Sequence, residues 1–152
     1  MPKCANVYAV GDAFLARSLS RVERVHWIGT GPSLRLPIDC GDNVLGDAVL
    51  SALEQSQESV PYPGPGGWKV VGKPLLKAAK LRSWKALAES AYLVGVSLDA
   101  GQFQVTPWIS QGAKLGFGIG EPSIQLVSSE NTASILGAEV RRTMERSREL
   151  SK

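Results

Sequence analysis

The chain has 152 residues, 43% of them hydrophobic and 20% charged, with a formal net charge of +3. That length suits a single domain over 1–152 with a sizeable core, and the composition excludes a disordered chain. No apolar run approaches the length of a membrane span, no charged segment leads into one at the start, and the two cysteines, Cys4 and Cys40, have neither metal-ligand nor disulfide-framework spacing. A cytoplasmic protein with reduced thiols and no membrane partner is the expectation.

Aromatic and β-branched residues predict strands over Asn6–Val10 and Arg24–Ile28, a turn at Gly29-Thr30-Gly31-Pro32, and an extended run through Leu34-Arg35-Leu36. Between the first two strands, Asp12–Ser20 reads as a further strand, a short helix or a loop, because Phe14, Leu15 and Leu19 fit no single period. From Asp42 the pattern turns helical. Asp42 or Asn43 can cap, and Val44, Leu45, Ala48, Val49, Ala52 and Leu53 fall on one stripe. The segment Val60–Trp68, with three prolines and three glycines in nine residues, predicts an extended loop.

After the loop, Pro74 stands early in a helical run through Leu75, Leu76, Ala78, Ala79 and Leu81, and Ser83 can cap a short helix through Trp84, Leu87 and Ala88. The period then changes to two. Tyr92–Leu98 and Gln102–Trp108 flank Asp99-Ala100-Gly101, which predicts a hairpin with a three-residue loop, and Lys114–Gly118 and Ser123–Val127 supply two more strands. A long helix runs from Thr132 or Ser134 to Leu150, with pairs such as Glu145 and Arg141 on a solvated face.

The segments Leu45–Glu58 and Leu136–Glu149 agree at six of fourteen positions, a match open to two explanations: two helices meeting similar packing demands, or a duplicated strand-and-helix unit. Gly46 and Gly137, early in their helices, predict close approach to a neighbouring element, since a helical glycine costs on the order of 1 kcal/mol against alanine. Together these elements define an α/β (α+β) fold: a mainly antiparallel sheet of about five or six strands, with three or four helices packed largely on one face.

Chemistry-bearing residues are sparse. The sole histidine, His26, lies in a strand-like run and reads as a core or sheet-face residue. Gly29-Thr30-Gly31-Pro32-Ser33 lacks the Gly-Lys pair and following helix of a phosphate loop, and Gly116-Phe117-Gly118-Ile119-Gly120 has the wrong spacing for a dinucleotide site, its glycines marking a bulge or a tight sheet contact. No catalytic residue, cofactor or metal site is expected, and the chain reads as a binding protein rather than an enzyme.

Charge is sorted into blocks. From Leu36 to Trp68 there are five acidic residues and no Lys or Arg; from Lys69 to Ala88 there are six basic residues and no acid. The carboxylates Asp39, Asp42, Asp47, Glu54 and Glu58, beside a loop carrying Tyr62 and Trp68, can imitate nucleic-acid phosphates and occupy the basic cleft of a nuclease. The competing reading is a solvated helix face. Lys69–Lys85, interleaved with Trp68 and Trp84, offers an alternative nucleic-acid-binding module, against which stands a solvated face with inward tryptophans.

The run from Leu45 to Ser56, the Pro-rich loop into Trp68-Lys69, Leu81-Arg82-Ser83-Trp84-Lys85-Ala86-Leu87, the hairpin from Leu93 to Trp108 with Thr106-Pro107, and the helix from Leu136-Gly137 to Ser147 resemble, in that order, the immunity proteins of contact-dependent growth inhibition, the CdiI family. The likeness covers roughly residues 24 to 148. It implies a cytoplasmic protein that binds the C-terminal toxin domain of a cognate CdiA effector, commonly a nuclease acting on tRNA or DNA, in a one-to-one complex that blocks it, with no direct nucleic-acid contact. No interface residue transfers by motif, so the seven acidic and aromatic positions rest on charge and loop chemistry alone.

Overall fold

The fold is seen in a computed structural model, which describes residues 2–23, 26–65, 67–112, 115–127 and 132–151, without the side chains of Trp68, Lys69 and Val127. In chain order the elements are β1 (Lys3–Val10), β2 (Ala13–Val22), β3 (His26–Pro37), α1 (Asp42–Glu54), α2 (Gly67–Ala79), α3 (Trp84–Ser90), β4 (Ala91–Asp99), β5 (Gln102–Ser110), β6 (Phe117–Ile119), β7 (Ile124–Val127) and α4 (Thr132–Leu150). The strands form a seven-stranded antiparallel sheet of order β3-β2-β1-β4-β5, with β6 and β7 sharing the outer edge of β5. Four helices and this sheet make an α+β domain.

Both faces of the sheet centre are apolar, so helices cover both rather than one. Ala5, Val7, Ala9, Phe14, Val94, Val96, Phe103 and Val105 point to the layer of α1 and α4, meeting Leu45, Val49, Leu53, Leu136, Val140 and Met144. The opposite side of the pleat carries Tyr8, Leu15 and Leu93, which pack with Leu75, Ala79 and Leu87 of α2 and α3. This explains why Asp12–Ser20 shows no period. Phe14 and Leu15 face opposite layers and are both buried, so alternation between apolar and polar residues disappears along β2.

The strand order reads outward from the β1–β4 pair in the same sequence on both sides, and each half ends in a helix on the same face. The short internal match lies where those helices cross. A Cβ on Gly46 would stand 1.7 Å from the Ala133 carbonyl oxygen, and one on Gly137 would stand 1.8 Å from that of Asp42. The contact is reciprocal: each glycine meets the carbonyl four residues before the other. The sequence match therefore has a structural counterpart in a repeated strand-and-helix arrangement, with α2 and α3 inserted between the halves.

Several local expectations change. The glycines at 29 and 31 do not end a strand; β3 runs through them with a register shift opposite Ala16 and Ser18, a bulge that a positive φ of 70° at Gly31 accommodates. Arg24 and Val25, at the start of the expected strand, and Lys114, in a later one, lie outside the described residues. The hairpin loop is two residues rather than three, since Asp99 pairs with Gln102 and both Ala100 and Gly101 have positive φ, the signature of a type I′ turn.

Helix α2 begins at Gly67, inside the expected loop, and runs through Pro74. The proline displaces the hydrogen bond that would end on Val70, a residue on the exposed side where water can replace it. Ser83 does cap α3, its Oγ accepting from the Ala86 N–H at 3.1 Å. At α1 the N-cap is Gly41, with no side-chain cap, because the Asp42 carboxylate turns to Arg141.

Candidate functional site

The acidic positions do not form one uninterrupted patch. Asp39 is exposed in the turn after β3, and Asp47 and Glu54 are exposed on α1. Seven residues bring a helix back to almost the same face, so these two carboxylates share a stripe about 10 Å long. Glu58 is exposed beyond the helix, and Tyr62, 53% exposed, follows in the Pro-rich loop. Trp68 is the second residue of α2, and its side chain lies outside the described residues.

Asp42 differs from the rest. Its Oδ1 accepts from Arg141 Nε at 3.0 Å, while the same guanidinium donates to the carbonyls of Ile38, at 2.7 Å, and of Cys40. Asp42 thus helps fasten α4 to the entry of α1. This pairing replaces the expected one between Glu145 and Arg141; Glu145 instead lies 3.6 Å from Arg148.

The basic block is a ridge. Lys73, Lys77 and Lys80 are exposed on one side of α2 and its end, and Arg82 and Lys85 continue it. Lys69 belongs to the same helix, with its side chain outside the described residues. Trp84 does not pack inward. It is 47% exposed and meets Phe117 edge to face at 6.2 Å. His26, expected in the core or on a sheet face, is exposed at the first position of β3.

A different feature lies under that tryptophan. Because α2 and α3 cover only part of their sheet face, a cavity of about 460 Å³ remains over β1, β4 and β5, floored by Asn6, Gly95, Ser97 and Thr106 and walled by Tyr8, Trp27, Trp84, Trp108 and Phe117. A second lobe of about 280 Å³ shares Asn6, Tyr8, Leu19, Trp27 and Trp84 with the first and adds Arg17. Cross-strand register places these polar groups together, since Asn6 pairs with Arg17 on one side and Gly95 on the other, and Gly95 with Thr106.

Arg17 is only 5% exposed, and its guanidinium lies across Gly29, where a Cβ would come within 2.8 Å of it. Its Nε donates to the Gly31 carbonyl at 3.3 Å, and among the described residues no carboxylate is in ion-pair range. Burial holds its pKa below the ordinary arginine value, partly offset by the Tyr8 phenol, and it remains a cation. Burial likewise raises the Tyr8 phenol, against the lowering effects of the Asn6 hydrogen bond and of Arg17. The Trp108 indole N–H, over Gly95, has no acceptor among the described residues. Sequence reasoning missed this cluster because Arg17 sits in the segment whose period is unreadable, and only the register that sets Gly29 opposite Leu19 and Asn6 between Arg17 and Gly95 brings it together; a lone arginine within the largely apolar run 13–19 was the available signal.

Among the described residues no group of three or more His, Cys, Asp or Glu side chains is placed to hold a metal ion, and no helix is long and apolar enough to cross a membrane. Two of the glycines from 116 to 120 sit in tight contacts, a Cβ on Gly118 meeting Gln111 at 2.9 Å and one on Gly120 meeting Ile109 of β5 and Leu150 of α4 at 2.9 Å, while Gly116 has room and a positive φ.

The architecture that emerges is a CdiI-like α+β fold, a seven-stranded antiparallel sheet between unequal helical layers. A chain of the CdiA-CT/CdiI toxin and immunity complex from Yersinia pseudotuberculosis shares it with a TM-score of 0.76 and 15% identity, over 96% of this chain and 97% of that one. A protein of unknown function from Neisseria meningitidis shares it with a TM-score of 0.76 and 19% identity, over 96% and 95% of the two chains. No family model and no curated protein matches the sequence.

Proposed function

We propose that this chain is an immunity protein of contact-dependent growth inhibition. It binds the C-terminal toxin domain of its cognate CdiA in a one-to-one complex, in the cytoplasm, and neutralises it by occlusion. It is not itself an enzyme. The observation that carries this reading is the end-to-end correspondence of fold with a chain of a toxin and immunity complex, joined to the ordered sequence likeness from Leu45 to Ser147.

The toxin is a nuclease such as a tRNase, bound through Asp39, Asp47, Glu54, Glu58, Tyr62 and Trp68, with Asp42 assisting while it holds Arg141. Exposed carboxylates beside an exposed aromatic loop suit a basic cleft, where charge speeds encounter and aromatics supply contact area. Growth of cells expressing the toxin domain encoded beside this chain, with and without the protein, tests the reading. Rescue is expected; continued arrest with both proteins folded would reject it.

A second reading rests on the ridge of Lys73, Lys77, Lys80, Arg82 and Lys85, all exposed. Unneutralised cations on one face can bind phosphate backbones, so this reading expects salt-sensitive binding of bare RNA. The immunity reading expects none at physiological salt.

A further inference from the structure

We propose that the two-lobed cavity between the sheet and the α2–α3 layer is a binding site for a small molecule that carries a planar ring and one anionic group, a phosphate or a carboxylate. This inference does not rest on the immunity reading. Its combined dimensions, about 460 and 280 Å³, fall in the range of preformed small-ligand sites, about 300–1,000 Å³.

The charge defines the anion. Among the described residues lining either lobe, Arg17 is the sole side chain ionised at neutral pH, and none of them is Asp or Glu. Arg17 is a buried residue whose guanidinium, among the described residues, makes one hydrogen bond to a carbonyl and retains donors in a planar fork that matches phosphate or carboxylate oxygens. Structural cations buried to this degree are ordinarily paired within the chain. Arg17 has no carboxylate partner among the described residues, and the lobe it lines leaves room beside it.

The walls define the ring. Trp27 and Trp84 border both lobes, and Trp108 and Phe117 close the larger one, so a flat apolar body finds aromatic surfaces within reach of the cation. The floor is made of small residues. Ser97 and Thr106 leave space that larger side chains would fill, Gly95 makes room for the Trp108 indole, and Asn6 adds an amide for orientation. A ligand lying with its ring between the tryptophans and its anion at Arg17 uses both parts at once; neither half alone should bind comparably.

Calorimetric titration of the full chain with adenosine 5′-monophosphate and with indole-3-acetate tests this, with adenosine, indole and inorganic phosphate as halves. The expected result is one-to-one binding of at least one ring-anion probe with Kd below about 100 μM and at least tenfold weaker binding of its halves. Whichever probe binds assigns phosphate or carboxylate. Arg17→Met and Ser97→Phe should each weaken it by about tenfold or more, the first by removing the cation and the second by filling the floor. If Arg17→Met does not fold, Ser97→Phe and the rim variant Trp84→Ala decide. Absence of binding by both probes, equal binding of a half, or binding that survives the folded variants overturns the proposal.

Discussion

Arg141 ties α4 to the start of α1 through three acceptors at once: the Asp42 carboxylate and the carbonyls of Ile38 and Cys40. Its guanidinium also lies 5.3 Å from the centre of the Phe14 ring. Arg141→Ala leaves two half-buried carbonyls and a carboxylate without their donor, and should cost about 2 kcal/mol in urea unfolding, read as a lower midpoint with unchanged slope. Arg141→Lys should recover only part, because one ammonium cannot span the three acceptors. The same geometry separates Asp42 from the other carboxylates. Lysine at Asp42 would both add charge and break this junction, so reversal of Asp47 and Glu54 is the cleaner probe of the proposed toxin binding: the double variant should slow association about tenfold at low salt while leaving the fold intact. Unchanged kinetics would reject the phosphate-mimic role of that stripe.

Cys4 carries a prediction in pH. Burial, against the opposing field of Arg21, raises its thiol from an ordinary 9.0 to about 11. At pH 8 it should resist alkylation in the native protein and react once the chain is unfolded, measured by mass after iodoacetamide. Since the unfolded thiol ionises first, the stability from keeping it neutral is intact below pH 9.0 and falls as pH rises to about 11.

At the scale of elements, the α1–α4 crossing is set by two glycines. Alanine improves helix propensity by about 1 kcal/mol, but at Gly46 or Gly137 its methyl would overlap a carbonyl oxygen held by the opposite helix. Steric overlap should win: Gly46→Ala and Gly137→Ala are expected to destabilise by about 1–3 kcal/mol. Gly72 in α2 has nothing within 4 Å of such a methyl, so Gly72→Ala should stabilise by up to about 1 kcal/mol. Equal effects at Gly46 and Gly72 would contradict the close crossing.

These elements also show what the sequence made legible. The α1 stripe apart from Val44, which is exposed, the Ser83 cap, the β4–β5 hairpin apart from its loop length, and the close approach of Gly46 and Gly137 were readable because each depends on local spacing or on one residue's steric need. β2 was not, because burial on both faces removes its alternation; nor was the start of α2, where Gly67 and Pro74 argue locally against a helix that packing of Leu75 and Ala79 supports. The helices on two faces follow from the same double-sided burial. Of the acidic positions the sequence gives charge but not partners, and Arg141 could not be matched to Asp42 across 99 residues. The cavity cluster was least visible, since cross-strand register alone brings Asn6, Arg17, Gly95 and Thr106 together.

On the scale of the whole molecule, two strand-and-helix halves share one sheet and one helix crossing, and the inserted α2–α3 layer only partly closes the opposite face. The closed side is occupied by its own core. Exposed carboxylates follow the outer side of α1, the basic ridge follows α2 and α3, and the aromatic cavity lies between the latter and the sheet. Under the proposed immunity function, this division would let a toxin be met on the α1 surface while the basic ridge stays outside the contact. Calorimetric titration into this protein of the CdiA C-terminal toxin domain that the proposed function expects to be encoded beside it tests that proposal most directly. It predicts a stoichiometry of one with nanomolar or tighter affinity; no binding between the two folded proteins would contradict it.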